Sequence, residues 1–171
     1  MTIAITDACI FIDLHDLELI YAFFMLDLEI HTSLDVINEL WAHQQAALSA
    51  YRSAGRLVVH NLSMADRLAI LAIDHPKSLS DIDKTVLFLA EKLGAMVLSS
   101  DKAVRQFAKK RSIPYHGLLW IFDRLVERQI VPPAIAGERL QRLMATNLVY
   151  QNNAEMMLET GKRIKMWGEK R

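Results

Sequence analysis

Apolar and polar positions alternate along the chain between two rhythms. Short apolar runs bounded by turn-forming residues read as buried strands: "TIAIT" at 2–6, a stretch near 28–31, "RLVVH" at 56–60, "AMVLS" at 95–99 and "IPYH" at 113–116. Between them the apolar residues recur at helical spacing. "DACIFIDLHDL" predicts a first helix, and "TSLDVINELWAHQQAALSAYRSAG" a second that Gly55 closes. Thr32 with Asp35, and Ser63 with Asp66, have the spacing of capping boxes. The pattern predicts a helix over 64–75 that ends at Pro76, and another over 80–94 with Ser80 as N-cap and Gly94 as its stop. Helices over 101–111 and 117–131 follow, and Pro132-Pro133 separate them from a last helical stretch.

Strands that alternate with helices over most of a chain argue an α/β fold of three layers, α/β/α, with a mainly parallel, roughly five-stranded sheet. In such sheets sites form outside the carboxyl ends of the strands. Two acids stand there: Asp7 directly after the first strand, and Asp101 directly after the fourth. Either could be an ordinary N-cap, since aspartate is a preferred capping residue. Asp83 differs. On a wheel of about 100° per residue it falls between Val86, Leu87 and Ala90, inside the apolar arc of its helix. A carboxylate on such a face asks for a cation or a set of donors. It also stands three residues after Ser80, where it would complete a capping box. Glu39 lies about 60° beyond Val36, at the edge of its helix's apolar arc, a position that suits a cleft or solvent equally.

Composition narrows the remaining classes. A length of 171 residues fits one domain with a helical appendage, and 52% hydrophobic residues allow a well-filled core. Twenty basic residues balance twenty acidic ones, so net charge gives no general attraction to nucleic acid or membrane. The single cysteine, Cys9, excludes an internal disulfide, and no apolar run reaches the roughly 20 residues of a membrane helix; a cytoplasmic setting is expected. Six scattered histidines show no metalloprotease spacing, and phosphate-cradling glycine loops and a serine elbow are absent.

The segments "ITDACIFIDL", "TSLDVINELW" and "LSDIDKTVLFLAEKLGAMVLSSDKAVRQFAKKRSIPYHGLLWIFDRL" together resemble PIN-domain proteins, close to the VapC-type toxin nucleases and related prokaryotic PIN proteins. The resemblance covers residues 1–131, leaving residues 132–171 as a helical extension packed on the domain or swapped with it. It matches the family's acids to Asp7, Glu39, Asp83 and Asp101, with Ser99 as the supporting hydroxyl two residues before the last. It implies a metal-dependent endoribonuclease that acts on RNA and, as often in the family, a homodimer neutralised by a cognate antitoxin, the chain then being the toxin of a toxin–antitoxin pair. Asp7-Ala8-Cys9 departs from the family's first motif, which commonly places a hydroxyl and an amide after the acid. Four converging carboxylates would need hard cations, and oxygen ligation favours Mg²⁺ or Mn²⁺. Asp7, Asp83 and Asp101 are the expected metal ligands; Glu39 would ligate through water or act as base. Lys102 and Arg105, one turn apart, could hold substrate phosphate or form a solvated basic face. Lys162, Arg163, Lys165, Lys170 and Arg171 of the tail carry the same two readings. The competing function is a catalytically weak or inactive PIN-like interaction module, motivated by Ala8-Cys9 and the tail.

Overall fold

A computed structural model describes residues 1–169; the tail cations Lys170 and Arg171 lie outside the described residues. Five strands, β1 (Thr2–Thr6), β2 (Leu28–Ser33), β3 (Leu57–His60), β4 (Met96–Leu98) and β5 (Tyr115–His116), form one sheet in the order β3-β2-β1-β4-β5, with every neighbouring pair parallel. The expected three-layer α/β architecture is therefore present. The chain runs outward from β1 to β2 and β3, then crosses back to β4 on the other side. That reversal makes the carboxyl ends of β1 and β4 the switch point of the sheet. Ala4 and Ile5 of β1, and Val97 and Leu98 of β4, are fully buried, as expected of central strands covered on both faces.

Helix α1 (Ala8–Asp16) leaves β1, and a short helix, α2 (Ile20–Phe24), precedes β2 where no helix was expected. The predicted single helix over 32–55 is two: α3 (Leu34–Glu39) and α4 (Ala42–Ser53). Leu40 and Trp41 between them are extended, and side chains secure the break. Gln44 Oε1 accepts from Trp41 N at 2.9 Å, and Gln45 Nε2 donates to the Leu40 carbonyl at 2.9 Å. Thr32 does not cap α3. Its hydroxyl donates to the Thr6 carbonyl at 2.7 Å, and Ser33 Oγ takes Val36 N instead. The strand runs two residues further than its apolar pattern, and the cap moves with it.

The capping box of α5 (Met64–Leu71) forms as expected from Ser63 and Asp66, but the helix stops before Pro76 is reached. Helix α6 (Asp81–Leu93) starts at the Ser80–Asp83 box and ends at Gly94, whose φ of 61° is the left-handed conformation glycine adopts at least cost. Helices α7 (Lys102–Lys110) and α8 (Leu118–Glu127) cover the β4–β5 side. The last stretch is three helices, α9 (Pro133–Thr146), α10 (Leu148–Gln151) and α11 (Ala154–Gly168). They are seated by the buried residues Ala136, Leu140, Leu143, Tyr150 and Trp167, and by Arg163, which grips Asp123 of α8 through two bonds of 2.8 and 2.7 Å. No described helix is long and apolar enough to cross a membrane.

Candidate active site

Parallel strands deliver their carboxyl ends to one edge, and the helices that follow begin there. Asp7 is the first residue beyond β1 and the N-cap of α1; its backbone N–H still pairs with the Leu98 carbonyl of β4 at 3.0 Å. Asp101 is the N-cap of α7 just beyond β4. Both capping expectations hold, and both caps stand at the switch point.

Asp7 is only 5% exposed. Its Oδ1 accepts from Ala8 N at 2.6 Å, and its Oδ2 accepts from Ser99 Oγ at 2.7 Å and from the Cys9 thiol at 3.4 Å. Burial pushes the Asp7 carboxyl up to about 6, and the charge of Asp83 adds to the rise, against the lowering effect of its hydrogen bonds. Ser99, fully buried, joins two acids: its hydroxyl donates to Asp7 and accepts from Asp101 N at 3.1 Å. Cys9 supplies a donor where the family's usual hydroxyl and amide are missing. Its sulfur also accepts from Ser100 N at 3.4 Å, and burial and the charge of Asp7 push the thiol well up, so it stays protonated. Sequence reasoning took Ala8-Cys9 as a loss; the thiol's part depends on its facing the strand end, which no spacing rule reports.

Asp83 does not lie buried on the apolar face. Its Oδ2 turns back to accept from Ser80 N at 2.7 Å, and its own N–H bonds Ser80 Oγ at 3.0 Å. The box holds the side chain half-exposed at the start of α6, where its charge acts on both Asp7 and Glu39. Glu39 is exposed at the end of α3; partial burial and the charge of Asp83 push its carboxyl up. Thr85, one turn into α6, is 2.8 Å from Ser33 Oγ and ties the helix to the end of β2.

Asp7, Glu39 and Asp83 are thus brought into electrostatic contact, and Asp101 joins them through Ser99. Among the described residues, however, no three His, Cys, Asp or Glu side chains are grouped closely enough to hold an ion. Asp7 spends both oxygens on protein donors, whereas Asp83 Oδ1, Asp101 Oδ2 and the Glu39 carboxylate accept no hydrogen bond among the described residues. The donor set is all oxygen and carries unrelieved negative charge, which fits a hard divalent cation. Lys102 is exposed on the first turn of α7. Arg105 is half-buried, with its guanidinium beside Gly117.

No curated protein matches the chain. Among solved structures it is similar to a PilT N-terminus domain protein from the archaeon Sulfolobus solfataricus P2, at 14% identity and TM-score 0.48 over 74% of this chain and 95% of that one. It is also similar to a domain of a functionally unknown protein from Methanocaldococcus jannaschii DSM 2661, at 20% identity and TM-score 0.49 over 69% of this chain and 91% of that one. A family model described as PIN domain matches residues 3–156, a span that takes in all five strands and runs on through α9 and α10, and the chain belongs to the PIN-domain family.

Proposed function

We propose that this chain is a divalent-metal-dependent endoribonuclease that cleaves single-stranded or structured RNA. PIN domains are generally nucleases, which sets the class. The observation that carries the reading is Asp7: a carboxyl almost shut off from solvent at the switch point, pushed up to about 6 by burial and by Asp83. Held against its own ionisation, such a group is a costly way to fill a core position, because an uncharged residue would sit there without the desolvation penalty. Against a cation the same placement becomes favourable.

Asp7, Asp83 and Asp101 would hold Mg²⁺ or Mn²⁺. The ion would supply charge neutralisation and an activated water for attack on a phosphodiester. The chain's own residues do the positioning. Ser99 fixes the Asp7 carboxylate and the turn to Asp101, and the capping bonds fix Asp83 and Asp101 with one oxygen of each left open. Glu39, raised by burial and by Asp83, is suited to take a proton nearer neutrality than an ordinary glutamate. On this reading RNA is the substrate, a homodimer is the working form, and a protein antitoxin is the partner.

A second reading, a catalytically weak PIN-like interaction module, is favoured by two observations: among the described residues no three ligating side chains are gathered, and Asp7 has both oxygens committed. Cleavage and calorimetry separate the two. Asp7→Asn and Asp101→Asn are each expected to abolish Mn²⁺-dependent cleavage of single-stranded RNA, and Asp7→Asn to abolish Mn²⁺ binding. Cleavage retained in both variants sinks the nuclease; a wild-type chain that binds no Mn²⁺ establishes the module.

A further inference from the structure

The geometry points to Arg105 as the residue that grips a backbone phosphate of bound RNA, so that the strand crosses the site over the β4–β5 side of the sheet edge; this rests on the nuclease reading above. The cations of the chain divide clearly. Arg67, Lys84, Lys92, Arg111, Arg124, Arg139, Arg142, Lys162 and Arg163 each have a carboxylate within salt-bridge distance. Arg56 is spent on the Phe24 carbonyl. Of the described lysines and arginines left over, all but one are exposed to solvent. The exception is Arg105, half-buried, with neither an acidic partner nor a hydrogen bond among the described residues, and with its Nε–H buried and unpaired.

A guanidinium stripped of part of its water and given nothing in return is destabilising unless something else supplies acceptors. Its place tells what that is. A Cβ built on Gly117 would stand 3.9 Å from Arg105 Nη1 and 3.7 Å from the carbonyl of Ser99, the residue whose hydroxyl holds Asp7. Arg105 stands one turn of α7 beyond Asp101, its backbone N–H bonded to the Asp101 carbonyl, and Gly117 leaves the space beside the guanidinium free of any side chain. No bond to the Ser99 carbonyl is made, so the arginine is not serving as a strap across the strand ends. A planar fork of donors on the helix that Asp101 caps fits a ligand that brings both a tetrahedral oxyanion and a need for metal chemistry, which is a phosphodiester. Arg105 would hold the phosphate flanking the scissile one, while the acids hold the ion.

The test measures binding of a labelled 12-nucleotide oligouridylate to the full chain in Ca²⁺ across a salt series. Arg105→Gln is expected to weaken binding about tenfold and to lower the slope of log Kd against log salt by about 0.7, the value for one single-strand phosphate contact. Arg105→Lys keeps the slope at intermediate affinity, and Arg52→Gln, at an exposed cation on α4, behaves as wild type. Because the guanidinium makes no bond to the described residues, Arg105→Gln should melt at or above the wild-type temperature. An unchanged affinity and slope overturn the proposal. So does an Arg105→Gln chain that melts lower or fails to fold, which marks a structural residue, and so does a wild-type chain that binds no RNA. A wild type that binds but does not cleave with Mn²⁺ ends the nuclease reading alone, and the comparison of slopes still decides Arg105.

Discussion

Two hydrogens reach Asp7 Oδ2, one from Ser99 at 2.7 Å and a weaker one from Cys9 at 3.4 Å. The strand pattern was enough to put Asp7, Ser99 and Asp101 at one edge, because strand ends are where the apolar run stops. It could not report Cys9, whose part depends on the direction of one side chain. For Asp83 it left two readings open, the apolar arc and a capping box with Ser80, and the box forms, with Oδ2 accepting from Ser80 N at 2.7 Å. The Cys9 thiol bridges Asp7 and Ser100 N, so its removal has a calculable cost. Cys9→Ala is expected to lower stability by about 1 kcal/mol, since Ser100 N–H and Asp7 each lose a partner. Cys9→Ser, which keeps a donor and an acceptor, should lose less. Urea midpoints of the two variants check this, and equal losses would mean that the thiol acts only as filler.

Elements carry the site by where they start and stop. The gap at Leu40-Trp41 ends α3 at Glu39 and leaves that carboxylate at the helix terminus beside Asp83. Without a proline or glycine at the break, the apolar pattern ran straight through it; the one local sign was Gln44, three residues beyond Trp41 and able to reach back to its N–H. The start of α6 was fully legible, since Ser80 and Asp83 have the spacing of a capping box and form one. That box does two things at once, because it begins the helix and orients an acid of the site. Ser80→Ala is expected to cost about 1 kcal/mol of stability and also to weaken Mn²⁺ binding, because Asp83 N loses its partner and the side chain its fixed start. The equivalent box on α5 provides the comparison: Ser63→Ala should cost about as much and leave Mn²⁺ affinity alone. Calorimetry on both variants separates the roles, and equal Mn²⁺ affinities would remove Asp83 from the ligand set.

At the scale of the whole molecule, the C-terminal helices act on the first helix of the sheet domain. The sequence pattern marked this stretch only as helical; the polar contact at its centre could not be read from it. Tyr150 donates to Asp13 Oδ2 at 2.5 Å, with Asn147 Nδ2 3.4 Å from Oδ1, and both Tyr150 and Asp13 are buried. A pairing 137 positions apart has no local signature. Burial pushes Asp13 up to about 6, with Asp16 adding to the rise, while the bonds from Tyr150 and Asn147 hold it down. The folded value lies above the unfolded one near 4, so the folded state binds the extra proton between those values. The stability this gives is fully present below about pH 4 and is lost as pH rises through about 6. Tyr150→Phe removes a bond that favours the charged carboxylate and moves the folded value further up. Its penalty must therefore grow with pH: about 1 kcal/mol at pH 5, where Asp13 is protonated, and roughly 2–3 kcal/mol at pH 7.5, where the charge has lost its donor. Urea unfolding at the two pH values measures the difference, and Asp13→Asn should erase it. A penalty that stays the same at both values would show that the tail is held by its apolar contacts alone, and that the buried Tyr150–Asp13 bond does not couple it to the domain that carries the acids.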